Sequence, residues 1–296
     1  MDLATPRRLD KYLADARVGS RSQIEAWAAA GAVAVGGVTT TSLSRLVDPC
    51  RDRVELLGQQ ARLTPPTRYA LLHKPHGIVT TLVDPADARS VAALLPPGWF
   101  GRVGVIGRLD QPTTGALLVT DDGDLNHLLT EPGCQVWKRY LLTIVGEPAD
   151  DDPRLAQLRT GVTLSGEVTL PARCGVVPGS GRPGRDDARL CELWIEVCEG
   201  RFRQVRRMAG QVGLKVVRLH RDAIGPLPLG DLPPGAWRPL LQTEIDALYA
   251  AAGGRDAPVQ GAQEALHRRW RAGALDPADA AIAERFFATL RRDDPR

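Results

Sequence analysis

The sequence has little of three things: paired cysteines, excess charge and long apolar runs. Its five cysteines are scattered without a C-x-x-C pair, which argues against a zinc site or a disulfide framework and favours reduced thiols. The 38 lysines and arginines nearly balance 35 acidic residues, for a net charge of +3, so overall charge alone indicates no nucleic-acid partner. Without a signal-peptide core or a membrane-length run, we expect a cytoplasmic protein with no membrane partner.

The chain has 296 residues, of which 43% are hydrophobic, and this is enough for two domains with their own cores. The patterning predicts a small N-terminal domain at 1–58, a polar linker with prolines at 59–67, a large domain at 68–252 and a helical extension at 253–296. No chemistry can be assigned to the extension.

Hydrophobic periodicity predicts two helices and then short strands in the small domain. Leu9, Tyr12 and Leu13 share one face of a helix, and a second helix follows at about residues 21–30. Val33 and Val35 alternate as a strand that ends at two glycines. The order helix, helix, strands therefore describes a compact α+β domain.

An aspartate lies on a short polar loop between two apolar segments of the large domain. Val105 and Ile106 lead into the loop, and the run from Ala116 to Val119 leaves it, which predicts a strand, a tight loop and a strand. A carboxylate held on such a loop can act as a nucleophile or a base, and an aspartate near a proline can also cap a turn. The loop alone leaves both roles open for Asp110.

A second stretch of the large domain has the most one-sided charge of the chain. Between Glu199 and Arg221 the only acid is Glu199, and the cations are Arg201, Arg203, Arg206, Arg207, Lys215, Arg218 and Arg221. The small net charge of the chain hides this local excess. Such a concentration of cations favours a polyanionic partner.

Three other patterns fail as ligand sites. His73 and His76 flank a turn, but no third metal ligand follows at suitable spacing. The acidic run at 121–124 lacks the spacing of a calcium loop. The glycines at 104 and 107 are not followed by a helix, which excludes a dinucleotide-binding loop.

Four motifs occur in an order that resembles a known family. R-L-D-K-Y-L at 8–13 and the glycine-rich strand at 31–37 are similar to the S4 RNA-binding domain. K-P-x-G at 74–77, G-R-L-D-x-x-T-x-G-x-L-L-x-T-x-D-G at 107–123 and E-G-R-x-x-Q-V-R-R-M at 199–208 then follow. Together, over about residues 8–250, they resemble the RsuA/RluB family of ribosomal RNA pseudouridine synthases. Phe202 departs from the polar residue common at its position.

The resemblance implies an α+β fold, with a small S4-like domain followed by a catalytic domain built on a mixed, mainly antiparallel sheet flanked by helices and loops. It implies that Asp110 is catalytic, by attack on the sugar, attack on the base or removal of a sugar proton. Arg206 would pair with Asp110 and keep it ionised in a dry pocket. Tyr140 would stack on the flipped target base, and Arg108 would fill the gap left by that base.

The same resemblance implies partners and excludes others. Ribosomal RNA, folded or in an assembling subunit, is the expected partner, and no DNA is expected. No metal and no organic cofactor are implied, because the isomerisation is redox-neutral. The protein is expected to be a monomer. Contacts to RNA phosphates are expected from Arg8, Lys11, Arg17, Arg21, Arg201, Arg203 and Arg207. The first four of these would equally suit a solvated helix surface.

Two other functions remain for comparison. One is an RNA-binding ribosome assembly factor that has kept the fold without activity, although Asp110, Tyr140 and Arg206 are all present. The other is a hydrolase, which lacks a second carboxylate placed for acid catalysis. The segment at 161–171 and the form of the arginine motif favour a uridine of the large ribosomal subunit.

Overall fold

The computed structural model describes residues 5–19, 21–63, 66–131, 134, 136–184, 188–254 and 266–292, and only the backbone of 285–286 and 288–292. The chain forms two compact units. Unit 1 comprises Met1–Thr67 with Gly254–Arg296, and unit 2 comprises Arg68–Gly253. Within the described segments, no helix is both long and apolar enough to cross a membrane.

Unit 1 begins with the predicted helix pair and short strands. Its N-terminal elements are β1 (Arg7–Arg8), α1 (Leu9–Asp15), α2 (Arg21–Ala29), β2 (Val33–Val35), β3 (Val38–Thr39), β4 (Leu46–Val47), β5 (Val54–Leu56) and β6 (Gln59–Gln60). Four strands form an antiparallel sheet in the order β3-β2-β5-β6, and β1 pairs with β4. Leu9, Leu13, Ile24, Val33 and Val54 are fully buried in the core between helices and sheet.

The start of the predicted linker belongs to this domain. Leu57 and Gly58 both have positive φ, at 51° and 75°, and turn the chain so that β6 returns along β5. Ala61 is then buried, and its carbonyl accepts a hydrogen bond of 3.1 Å from the Tyr12 hydroxyl. The sequence predicted a linker from residue 59, because two glutamines show no hydrophobic strand pattern.

The C-terminal extension is part of unit 1 and not a separate segment. It contains α7 (residues 266–271) and α8 (Pro277–Arg292). Leu266, Ile282 and Ala283 are buried against Leu46 of β4 in one apolar cluster. The buried Asp279 carboxylate also accepts a 2.9 Å hydrogen bond from the backbone N–H of Leu46. The helices at the end of the chain thus cover strand β4.

We expect Asp279→Ala to destabilise unit 1 by about 1–3 kcal/mol, because the buried N–H of Leu46 loses its acceptor. Asp279→Asn keeps an oxygen at that position and should stay near the wild type. Hydrogen exchange at the Leu46 amide measures the effect directly, and exchange should accelerate in the alanine variant alone. Equal protection in all three proteins would contradict the contact.

Unit 2 is built on one large sheet. The strands of unit 2 are β7 (Tyr69–Lys74), β8 (Gly104–Ile106), β9 (Thr114–Thr120), β10 (Lys138–Val145), β11 (Thr163–Leu164), β12 (Glu167–Val168), β13 (Arg173–Val176), β14 (Arg182–Pro183), β15 (Arg189–Val197), β16 (Val216–Ile224), β17 (Leu227–Pro228) and β18 (Trp237–Pro239). All of them except the pair β11 and β12 belong to the large sheet. Its helices are α3 (Gly123–Thr130), α4 (Pro153–Thr160), α5 (Gln204–Gln211) and α6 (Gln242–Ala251), with a 3-10 turn at Val91–Leu94.

The large sheet has the order β13-β15-β10-β16-β9-β7-β18, and β14, β17 and β8 add to β15, β16 and β9. Only the β16–β9 pair is parallel among the pairs described. Helices α4 and α5 pack on the β10–β15 part through Leu155, Leu158, Val205 and Met208. The predicted α+β class and the mainly antiparallel sheet are therefore confirmed.

Candidate active site

Asp110 lies on the loop between β8 and β9, as the strand–loop–strand pattern predicts. Gly107 has a φ of 67° where the loop leaves β8, and the N–H of Thr113 donates to the carbonyl of Asp110 at 2.9 Å, which closes a turn. Leu109 is buried, and the Thr80 hydroxyl both donates to its carbonyl (2.7 Å) and accepts from its N–H (3.2 Å). The residue before the aspartate is therefore held on both backbone groups.

A fully buried lysine supports the other side of the loop. The Lys74 ammonium donates to the carbonyls of Pro75, Gln111 and Thr113 at 3.0, 3.2 and 2.8 Å. Burial lowers the pKa of Lys74 to about 8, although the negative charge of Asp110 opposes the shift. At neutral pH the group is therefore protonated and has three N–H donors for three acceptors. The K-P-x-G motif thus shapes the loop that carries Asp110.

We expect Lys74→Met to cost unit 2 at least about 3 kcal/mol at pH 7, because three buried carbonyls lose their donor. The pKa of Lys74 lies below its ordinary value of 10.5, so between pH 8 and 10.5 the unfolded chain binds more protons than the folded one. The stability of the wild type relative to this variant should therefore rise with pH across that window, by at most about 3 kcal/mol.

Urea denaturation of both proteins between pH 7 and 10.5 measures the difference. Lys215 is an exposed lysine of the same unit, and Lys215→Met is the matched control, whose stability at pH 7 should stay near that of the wild type. A stability difference between wild type and Lys74→Met that falls as the pH rises would contradict the burial-lowered pKa.

The loop borders a cavity of about 500 Å³. Asp110, Arg108 and Tyr140 line it together with the segment from Glu199 to Val205 and with Arg221. Asp110 keeps 23% of its side chain exposed, so its carboxylate is accessible to a ligand. Within the described residues, no group of three or more histidines, cysteines or acids is arranged to bind a metal.

Two arginines of the E-G-R-x-x-Q-V-R-R-M motif act on Asp110. The ion pair is formed by Arg203, whose Nη1 lies 3.7 Å from the Asp110 carboxylate. Burial and the charge of Arg203 lower the pKa of Arg206, and the charge of Asp110 opposes this shift. Arg206 does not line the cavity, and its buried Nε has no hydrogen-bond partner.

The pairing therefore differs from the sequence-based prediction, which gave the aspartate to Arg206 and an RNA phosphate to Arg203. The reason lies in the backbone. Arg203 precedes α5 with a left-handed φ of 51°, an unusual conformation for an arginine that no sequence pattern signals. It orients the Arg203 side chain toward the loop of Asp110.

Tyr140 lies in the cavity wall beside Arg221, a buried arginine that no sequence motif singles out. Arg221 is only 3% exposed, its Nε donates to the carbonyl of Ala116 at 2.7 Å, and its guanidinium lies 5.9 Å from the centre of the Tyr140 ring. One Nη donates to the Tyr140 hydroxyl over a long 3.5 Å. In the sequence, Arg221 is only one cation of a basic run.

Two residues of the cavity wall, Tyr140 and Arg221, belong to one row of paired residues across four strands. Lys74 of β7 pairs with Gly115 of β9, Gly115 with Arg221 of β16, and Arg221 with Tyr140 of β10. Residues directly opposite each other on neighbouring strands point to the same face of a sheet. A glycine in the middle of the row leaves room for two long cationic side chains.

Gly115 is also required by the backbone. Its φ is 113°, and a Cβ at this position would collide with the backbone of Arg221 on the parallel strand β16. A Cβ at Gly107 would meet no atom, although its φ is positive too. In the sequence, the feature that could point to the position of Arg221 is therefore Gly115, the glycine that pairs with it.

We expect Gly115→Ala to cost at least about 3 kcal/mol of stability, because β9 and β16 must move apart. Gly107→Ala should cost only about 1–2 kcal/mol, from the left-handed backbone alone. Thermal denaturation of the two variants compares the costs. Similar melting temperatures for both would argue against the close approach of the two strands.

The remaining predicted phosphate contacts of unit 2 are largely engaged within the protein. Arg201 pairs with Glu199 at 3.0 Å and Glu167 at 3.3 Å. Arg207 donates to the Ser165 hydroxyl at 2.6 Å. Arg108 is exposed at the edge of the cavity.

The cations of unit 1 are accompanied by acids. Arg8 pairs with Asp10 at 2.9 Å, Lys11 with Asp15 at 3.2 Å and Arg21 with Glu25 at 3.3 Å. Arg17 lies between α1 and α2 with a φ of 56°. The charge that unit 1 offers to a polyanion from these residues is thus smaller than the sequence suggests.

Comparison with known proteins agrees with both units. The RNA pseudouridylate synthase family matches residues 68–211, and the S4 domain matches residues 7–52. An uncharacterized RNA pseudouridine synthase of Aquifex aeolicus (strain VF5) is 35% identical over 251 residues, which are 85% of this chain and 97% of the relative. Ribosomal small subunit pseudouridine synthase A of Yersinia pestis is 35% identical over 82% of this chain and 98% of its own.

A solved structure supports the same assignment. The crystal structure of a pseudouridylate synthase covers 82% of this chain and 99% of its own, with 32% identity and a TM-score of 0.54. An S4 domain followed by a cavity with an aspartate, a tyrosine and arginines defines an RNA-modifying enzyme. More narrowly, the chain belongs to the RNA pseudouridine synthases that carry an N-terminal S4 domain, the RsuA/RluB family.

Proposed function

We propose that this enzyme isomerises one uridine of ribosomal RNA to pseudouridine and that Asp110 is its catalytic residue. The observation that carries the proposal is the position of Asp110: a rigidly supported carboxylate at a cavity that also contains Tyr140 and Arg203. Ribosomal RNA as substrate is consistent with the cytoplasmic location predicted from the scattered cysteines, all five of which are free.

The cavity supplies what the reaction needs. The target uridine leaves its stack, and its base lies against the ring of Tyr140, which offsets part of the cost of unstacking. The bond between the sugar C1′ and N1 breaks, the uracil turns, and a bond forms between C1′ and C5. The hydrogen on C5 is lost to solvent, and N1 gains a proton. Asp110 takes part by attack on the sugar, attack on the base or removal of a sugar proton.

The arginines have complementary roles in this proposal. Arg203 and Arg206 keep Asp110 ionised when RNA excludes water from the cavity, since a nearby positive charge favours the carboxylate. Arg221 holds the carbonyl of Ala116 behind the loop and supports the ring of Tyr140. Arg108, exposed at the rim, is placed to enter the gap that the flipped base leaves.

The subunit is a finer question. The sequence motifs favour the large ribosomal subunit. The Yersinia pestis relative, however, is named for the small subunit, and the match covers 98% of the relative and 82% of this chain. We therefore propose a uridine of the small-subunit RNA. Mapping pseudouridines in the ribosomal RNA of cells with and without the gene identifies the site, and loss of a large-subunit pseudouridine would overturn this choice.

We expect Asp110→Asn to abolish tritium release from RNA labelled at C5 of uridine, with RNA binding kept, because the amide can neither attack nor accept a proton. Asp151 is exposed and lies outside the cavity, so Asp151→Asn should react at the wild-type rate. Normal turnover by Asp110→Asn would disprove the role of Asp110. Tight binding without tritium release by the wild type would instead indicate an inactive assembly factor.

A further inference from the structure

One aromatic side chain at the rim of the cavity has no role in the reaction described above. Phe202 is 78% exposed and lines the cavity. The next most exposed aromatic residue in the described segments is Phe100, at 49%, and it lies away from the cavity. An exposed ring keeps apolar surface in water, and this cost is recovered when a partner covers it.

The backbone that carries Phe202 is held firmly from one side by a buried carboxylate. Glu199 is 6% exposed and accepts hydrogen bonds from the N–H of Leu170 (3.0 Å), Nε of Arg201 (3.0 Å) and Nε2 of Gln204 (2.6 Å). The side-chain oxygen of Gln204 in turn accepts from the N–H of Arg201 at 3.0 Å. The chain is thus tied on both sides of Phe202.

A longer contact restrains Phe202 itself. Arg207 donates to the carbonyl of Phe202 at 3.4 Å and is anchored on the Ser165 hydroxyl. The ring therefore projects from an ordered loop and not from a flexible one. An aromatic ring presented in this way loses little conformational entropy on binding a flat partner.

The surroundings of the ring indicate what the partner is. The exposed Arg108 lines the same cavity, and the cavity admits a base of RNA in the proposed function. Proteins that bind single strands combine positive charge for the phosphates with aromatic rings for the bases. Tyr140 lies with Arg221 in the cavity wall, whereas Phe202 lies at the exposed rim, so the two rings serve different nucleotides.

We propose that Phe202 stacks on an unpaired base next to the target uridine and so helps to select a target in a non-helical segment of RNA. This inference rests on the proposed function, because the neighbouring base is defined relative to the uridine in the cavity. Stacking on an aromatic side chain contributes about 1–3 kcal/mol per base. Phe202 is therefore a recognition residue, which binds RNA without entering the chemistry.

The first test is binding of a probe that needs no turnover: a ten-nucleotide oligocytidine with one central uridine, which fixes the register in the cavity, and the same oligomer with a single abasic position at different distances from that uridine. With Asp110→Asn as the background, Phe202→Ala should weaken binding of the intact oligomer about 5- to 100-fold. Phe202→Trp should bind at least as well as the parent, and Phe202→Leu, apolar but without a flat face, should bind as poorly as the alanine variant. Phe100→Ala is the matched control and should bind normally.

The abasic oligomers locate the contact. At one abasic position the alanine variant and the parent should bind equally, because the base that Phe202 would contact is already absent. If the effect of Phe202→Ala is the same at every abasic position, or if Phe202→Leu binds like the parent, the ring does not stack on a base. Melting temperatures should agree within about 1 °C, since a side chain this exposed adds little to folding.

The second test separates this inference from the proposed function. With C5-tritiated ribosomal RNA as substrate, Phe202→Ala in the otherwise native enzyme should raise KM about 5- to 100-fold and leave kcat within about twofold. A fall in kcat at constant KM would overturn the recognition role and leave the function intact. Absence of tritium release by the native enzyme would overturn the function, while the oligomer binding would still report on stacking.

Discussion

The loop that carries Asp110 depends on one buried positive charge. A loop between two strands has no ladder of hydrogen bonds, so its shape must come from other groups, and here the Lys74 ammonium binds two of its carbonyls. The same charge lies near Asp110 and attracts it, as the opposing effect of Asp110 on the pKa of Lys74 shows. One lysine thus supports the geometry of the loop and places a positive charge near Asp110. Its position on β7, next to β9, makes the large sheet the frame of the site.

The sheet places Tyr140 and Arg221 by register. Lys74, Gly115, Arg221 and Tyr140 follow one another across β7, β9, β16 and β10, so a shift of one residue in any strand would turn its member of the row to the opposite face. The parallel strands β9 and β16 leave no space for a side chain at Gly115, because the backbone of Arg221 occupies the position that a Cβ would take. In the function that we propose, a rigid sheet of this kind holds the flipped base at a constant distance from Asp110.

The sequence was informative where local patterns are strong, and less so where distant segments meet. The strand–loop–strand around Asp110, the helix pair of the small domain and the family were all predicted, because alternation and motif spacing are local. The packing of α8 on β4 brings Leu46 into contact with Asp279, although most of the chain separates them in sequence. No pattern in either segment predicts that it contacts the other. Arg203 was assigned to RNA because its left-handed backbone has no sequence signal, and Arg221 was overlooked because strand register decides its place.

The distribution of charge changes how RNA binding must be understood. In the sequence, seven cations between residues 199 and 221 suggest a basic surface. In the structure, Arg201 is neutralised by two glutamates, Arg203 faces Asp110, and Arg221 is buried. These three arginines are therefore engaged within the protein and are not free to bind RNA phosphates. Because stacking depends on contact between flat surfaces and not on net charge, the exposed ring of Phe202 gains importance where the arginines are already engaged.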